Sequence, residues 1–234
     1  ELARELEINP ATVYRIVRTL CNKGYLEQNS INQSYFLGPK VLKLANLYTI
    51  RNPLSSVAKK VFESFADRFE HNLYLGMLSQ YEMIYLAVSD GRGPVKIAVE
   101  PGLTLPLHSN AIGKVLLAYE DDKSIQEYLE KNPLKAFTPR TLSRPEDLIK
   151  QLKEIRERGY AINDGEQFDS VGAVAVPLFG QKGQPVNLGI SLTYPRHLIY
   201  DGSLNIDELI ALGREIASEI THRCDVSNWS AVAV

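Results

Sequence analysis

Residues 8–28, INPATVYRIVRTLCNKGYLEQ, decide how the first part of the chain is read. Asn9 suits a helix N-cap, because its side-chain oxygen can accept a first-turn N–H, and Pro10 suits the first helical position. Val13, Val17 and Leu20, with Ile16 beside them, recur at helical spacing as one apolar stripe. Gly24 supplies the left-handed residue that ends such a helix. The segment that follows, YLEQNSINQSYFL, reads as two short strands around a polar turn. Upstream, ELARELEI reads as a short amphipathic helix with Leu2, Ala3 and Leu6 inward.

Helix, tight turn, second helix and β-hairpin is the order of a winged helix-turn-helix. Such a domain normally has a further helix before this pair. The sequence starts at Glu1 without it, so the first helix is expected to be missing from the stretch given. The uncovered side of the second helix carries Thr12, Arg15 and Thr19 at i, i+3 and i+7, with Tyr14 and Arg18 beside them. Arginine suits guanine edges or phosphates, and Thr and Tyr suit phosphates or a thymine methyl. A solvated helix face is the plain alternative; the flanking helix and hairpin favour DNA.

Charge supports that division of labour. The whole chain of 234 residues carries −2, yet residues 1–51 hold seven Lys and Arg against four Glu, a balance of +3 that leaves −5 for the rest. A basic end on an acidic body fits a phosphate-facing module joined to something else. The length suits two domains. No apolar run approaches the roughly 18 residues of a membrane span, and no signal peptide is visible, so a cytoplasmic protein is expected. Cys21 and Cys224 lie far apart with no metal-binding or disulfide spacing, which suits a reducing compartment.

Beyond the hairpin, GPKVLKLANLYTIRN predicts a linker helix from Pro39 to about Tyr48. A longer helix follows over Leu54–Phe69, with apolar residues at helical spacing through four turns. The period then changes to that of strands in NLYLGMLS, EMIYLAVSD and VKIAVE. Helices are expected from about Ser109 to Tyr119, from near Asp121, and after SRPED, where Ser143 and Glu146 have capping-box spacing and Gly159 marks the end. Three more strands (YAIND, GAVAVPLF, PVNLGISLTYP) and a closing helix over Leu204–Arg223 complete the pattern. The expected fold is α+β. A winged helix-turn-helix occupies 1–38, a linker helix 39–52, an antiparallel sheet domain with helices on both faces 53–224, and a tail 225–234.

Two features of the larger domain could form a site. In LPLHSNAIGKVLLAY, Ser109 or Asn110 can cap a helix whose first turn, Ala111, Ile112 and Gly113, leaves backbone N–H groups open to an anion; a plain capped core helix is the alternative. His108 beside it is read as structural. In LGISLTY, Gly189, Ser191 and Thr193 share one face of a strand. That face is either solvated or, under a covering helix, the wall of a polar pocket. No nucleophile elbow, zinc-protease motif, phosphate loop or dinucleotide fingerprint is present. The four histidines are scattered. No catalytic residue, metal or cofactor is expected.

Taken in order, ELARELEINPATVYRIVRTL with KGYLE, YFLGPKVLKLA, GLTLPLHSNAIGKVLLA, IRERGYAINDGE, GAVAVPLF and PVNLGISLT resemble the IclR family of bacterial transcriptional regulators from Glu1 to about Cys224. The resemblance implies a winged helix-turn-helix, a linker helix and a GAF-like domain that binds a small organic, aromatic or sugar acid. It implies dimers, or tetramers, on palindromic operator DNA, and the expectation here is a repressor of a catabolic operon. It also implies effector contacts at Ala111, Ile112, Gly113, Asn163, Ala173, Ser191 and Thr193, with apolar pocket positions at Ile97, Leu105 and Val171.

Asn163 stands where some relatives have Asp, and Ala173 where some have Cys, so no relative's effector preference transfers directly. The wing QNSINQS lacks Lys and Arg and should add little phosphate binding; the absent first helix should weaken DNA binding. With no Arg expected in the pocket, an anionic effector would be held by N–H groups at Ala111–Gly113 and by the hydroxyls of Ser191 and Thr193. The rivals are an interaction or dimerisation module with a vestigial pocket, and a small enzyme on a GAF-like fold. The enzyme would want a reactive pocket cysteine, whereas Cys21 and Cys224 lie on helices away from it.

Overall fold

A computed structural model describes residues 2–51, 53–93, 99–180, 185–224 and 226. The chain divides into two compact units, residues 1–53 and 54–234.

In the first unit, α1 (Leu2–Glu5) precedes α2 (Pro10–Asn22). Asn9 caps α2 as expected, its side chain accepting from Ala11 N at 2.9 Å. Gly24, at φ +76°, turns the chain out of the helix, and Tyr25 N–H closes the turn on Leu20 O at 2.9 Å. The hairpin pairs β1 (Leu26–Gln28) with β2 (Tyr35–Leu37), Leu26 opposite Leu37. The helix expected as a linker is α3 (Lys40–Arg51), and it clusters with this unit. Val17 is buried, but Ile16, expected beside the stripe, is 48% exposed. Ile16 lies about 100° from Val17 around the helix, off the side that is buried.

Among the described residues, the second unit holds a six-stranded antiparallel sheet in the order β5-β4-β3-β8-β7-β6. Its strands are β3 (Asn72–Ser79), β4 (Glu82–Ser89), β5 (Thr104–Pro106), β6 (Ala161–Asp164), β7 (Val171–Phe179) and β8 (Pro185–Pro195). On one face α4 (Leu54–Ser64) and α9 (Ile206–Arg223) enclose a core with Phe62, Leu75, Ile190, Leu192 and Ile216. On the other, α5 (Ala111–Leu117), α6 (Asp122–Lys131) and α7 (Pro145–Arg158) enclose a second core with Ile112, Val115, Leu148 and Ile155. A short helix, α8 (His197–Tyr200), follows β8.

Several expectations shift. The helix predicted through Phe69 stops at Ser64, and i+3 bonds such as Phe65 N to Phe62 O (3.1 Å) carry the chain on as turns. Phe65 and Phe69 stay buried, which is why the apolar period outran the helix. The Ser143–Glu146 capping box does not form. Arg144 occupies the cap and binds Asp147 Oδ2 at 2.7 Å, with Pro145 at the first helical position. The expected strand VKIAVE falls mostly outside the described residues; Thr104–Pro106, read only as a lead-in to a helix, pairs with β4 as an edge strand. The tail expected from residue 225 includes Val226, which is fully buried in the first core.

Candidate functional site

The face of α2 comes first. Thr12, Tyr14, Arg15, Arg18 and Thr19 are all exposed, Tyr14 at 59%. Neither arginine has an ion-pair partner among the described residues, which leaves both guanidinium groups open. Thr19 Oγ1 donates back to Arg15 O at 2.8 Å, so its hydroxyl has an acceptor lone pair but no spare proton. The hairpin turn is ordered by its own amides: Asn29 Oδ1 accepts from Ile31 N at 2.8 Å, and Asn32 Oδ1 from Ser34 N at 3.0 Å.

A cavity of about 580 Å³ lies on the α5 side of the larger sheet. Ala111, Ile112, Asn163, Ala173, Ser191, Thr193, Leu105 and Val171, named from the sequence, all line it. Register explains the grouping: Asn163 sits opposite Ala173, and Ala173 opposite Thr193, a row across three strands. Ser191 belongs to the next row on the same face, opposite Tyr74 and Ala175. Hydroxyls at alternate positions of a central strand therefore face a cavity under α5. Ser191 Oγ and Thr193 Oγ1 lie 3.3 Å apart. Ile97 lies outside the described residues.

Gly113 departs from the expectation. It is buried but not on the cavity wall, and its N–H donates to Asn110 Oδ1 at 2.6 Å. A Cβ there would stand 2.5 Å from Leu107 Cα and Leu107 O, so glycine serves close packing against the turn before the helix. The first-turn N–H groups of Ala111 and Ile112 precede any intrahelical acceptor. Asn110 is held in place, since its Nδ2 also donates one N–H to Pro106 O at 2.6 Å. Asn163 is likewise engaged: its Nδ2 donates to Ser109 O at 2.8 Å and its Oδ1 accepts from Glu166 N at 2.9 Å.

The sequence reading missed Tyr74, Tyr85, Gln167, Phe168 and His197, which also line the cavity. It missed Lys114 and Glu166 behind the wall. Lys114 is fully buried; its Nζ donates to Ile162 O at 2.9 Å and pairs with Glu166. Burial pushes the Lys114 ammonium down and the Glu166 carboxyl up, and their mutual attraction opposes both shifts. Lysine inside the apolar run AIGKVLLA was the available signal. His108 is structural as expected: Nδ1 is 3.1 Å from Tyr128 Oη and Nε2 is 3.0 Å from Lys135 O, and burial lowers its pKa. Among the described residues no group of three His, Cys, Asp or Glu could hold a metal, and no helix is long and apolar enough to cross a membrane.

A helix-turn-helix with an exposed arginine face in one unit, and a cavity in the other, suit the class of DNA-binding transcriptional regulators. The family Bacterial transcriptional regulator IclR C-terminal matches residues 47–222, and the IclR helix-turn-helix domain matches residues 1–30. The chain belongs to the IclR family of transcriptional regulators. It is 28% identical to the HTH-type transcriptional regulator BhcR of Paracoccus denitrificans over 227 residues, covering 96% of this chain and 81% of BhcR. It is 31% identical to the glycerol operon regulatory protein of Streptomyces coelicolor over 222 residues, covering 94% and 86%. Among solved structures, the IclR transcriptional regulator from Alicyclobacillus acidocaldarius is similar at a TM-score of 0.72 and 26% identity, covering 98% of this chain and 88% of that one.

Proposed function

We propose that this chain is an effector-controlled repressor of a catabolic operon. The face Thr12, Tyr14, Arg15, Arg18 and Thr19 enters the major groove of operator DNA, and a small organic acid in the cavity changes the affinity for that DNA. The observation that carries the reading is the convergence of Ser191, Thr193 and the first turn of α5 on one cavity. No Lys or Arg lines that wall among the described residues. Hydroxyls and the Ala111 and Ile112 N–H groups then hold the carboxylate, and Leu105, Ile112 and Val171 hold its apolar body. Control of an operon agrees with the name of the Streptomyces relative, a glycerol operon regulatory protein. Two copies of the chain on a two-fold operator follow from the helix-turn-helix class.

The test is a thermal melt of the chain against a panel of carboxylic, aromatic and sugar acids. Saturation at about a hundred times Kd adds roughly 2.7 kcal/mol, a shift of several degrees. A selective shift that is lost in Ser191→Ala supports the reading; no shift with any acid moves the domain to a purely architectural role.

A further inference from the structure

We propose that Ile31, at the tip of the β1–β2 hairpin, packs into the minor groove beside the bases read by α2 and selects A·T pairs there. The proposal rests on the reading of α2 as the major-groove element and adds a second, uncharged contact. Ile31 is 91% exposed, the most exposed large apolar side chain among the described residues. Single apolar residues on a surface are ordinary, but this one is held out by a built turn. Asn29 Oδ1 accepts from Ile31 N at 2.8 Å and from Asn32 N at 3.3 Å, and Asn32 Oδ1 accepts from Ser34 N at 3.0 Å. Gln33 Nε2 donates to Ser30 O at 3.1 Å, and Gln33 Oε1 accepts from Gln28 Nε2 at 3.0 Å. Gln33 itself takes a left-handed φ of +58°, uncommon outside glycine. Turn positions favour Gly, Asn, Asp and Ser. Here the amides order the backbone, and a β-branched apolar residue is what that backbone presents.

The hairpin is rooted at the end of α2. Tyr25 N–H bonds to Leu20 O at 2.9 Å, Gly38 N–H to Tyr25 O at 2.8 Å and Lys40 N–H to Gly24 O at 3.1 Å. With α2 in the major groove, the minor groove lies across the adjoining phosphate backbone, and the strand from Leu26 to Asn29 reaches roughly 10 Å toward it. The tip suits a groove floor rather than phosphates, because residues 28–34, QNSINQS, carry no charge. Its apolar patch is one residue wide, flanked by Ser30 and Asn32, which is too little for a protein partner. In the minor groove A·T pairs show acceptors alone, whereas G·C pairs add the guanine amino group. That amino group would lose its water to the Ile31 methyls without gaining a partner. An A·T floor has no such group, and apolar side chains of this kind wedge into it.

The experiment uses the full chain and a duplex it selects from a random pool. Each A·T pair flanking the bases under α2 is replaced in turn by G·C, or by inosine·C, which lacks the minor-groove amino group. At one flank wild type should bind the G·C duplex about fivefold or more weakly and the inosine·C duplex as it binds A·T. Ile31→Ala should bind the A·T duplex about fivefold more weakly and no longer separate the three pairs. Its salt dependence should match wild type, because no phosphate contact is lost, and its melting temperature should not move. Unchanged affinity in Ile31→Ala, or inosine·C behaving as G·C, overturns the contact; if Arg15→Ala still weakens binding, the reading of α2 stands. If the chain selects no duplex, both readings fall.

Discussion

Asn163 Nδ2 donates to Ser109 O at 2.8 Å, and this one bond ties the end of β6 to the turn that starts α5. With its oxygen taken by Glu166 N, Asn163 fixes two walls of the cavity at once. An aspartate at this position would set two acceptors against each other. Asn163→Asp should therefore cost about 1–3 kcal/mol of stability and weaken binding of any acid. Urea unfolding and a thermal-shift titration check both effects; unchanged stability would mean the amide is not part of the frame.

Gly113 separates packing from binding. Its N–H is held by Asn110, and a Cβ would press on the Leu107 backbone. Gly113→Ala should lower stability by about 1–3 kcal/mol and leave intrinsic acid affinity near wild type once the protein is folded. Calorimetry below the melting temperature measures this. A selective loss of affinity without loss of stability would return Gly113 to the binding surface.

The Lys114–Glu166 pair is buried, and Glu166 Oε2 has no partner. Removing the cation strands a carboxylate, so Lys114→Met should destabilise by about 3–5 kcal/mol. The double variant Lys114→Met/Glu166→Leu should recover much of that loss, because no charge remains buried. Equal instability of single and double variants would contradict this account.

Stability should also depend on pH through His108. Burial holds its folded pKa below the ordinary value near 6.5. The unfolded state then binds the proton more readily, so the stabilisation is present above about pH 6.5 and is lost as pH falls toward the folded pKa. Unfolding free energy measured from pH 5 to 8 should rise more steeply in wild type than in His108→Gln. Parallel curves would show that His108 does not titrate on unfolding.

Much of this was legible in the sequence where chemistry is local. Asn9, Pro10 and Gly24 bound α2, and the alternation Gly189–Ser191–Thr193 gave the wall its polar face, because caps and strand periods depend on near neighbours. What was missed depends on tertiary contact. Tyr85 reads as an ordinary strand residue until β3 and β5 enclose it. Arg144, not Ser143, precedes the first turn of α7, with Pro145 inside that turn and no side-chain cap. Phe65 and Phe69 looked helical because buried turns keep the same apolar spacing.

Arg15 bears on the other half of the account. Its side chain is exposed and unpaired among the described residues. Arg15→Ala should weaken operator binding by about 1–3 kcal/mol if it reads a base, and retention of full affinity and specificity would remove it from the interface.

The central claim is that acid in the cavity controls DNA binding. Duplexes selected from a random pool by the chain would supply an operator, and its Kd would be measured with and without the acid that stabilises the protein. The account predicts a change of tenfold or so, on the order of 1.4 kcal/mol of coupling, lost in Ser191→Ala. An acid that binds tightly while operator affinity stays constant would contradict it.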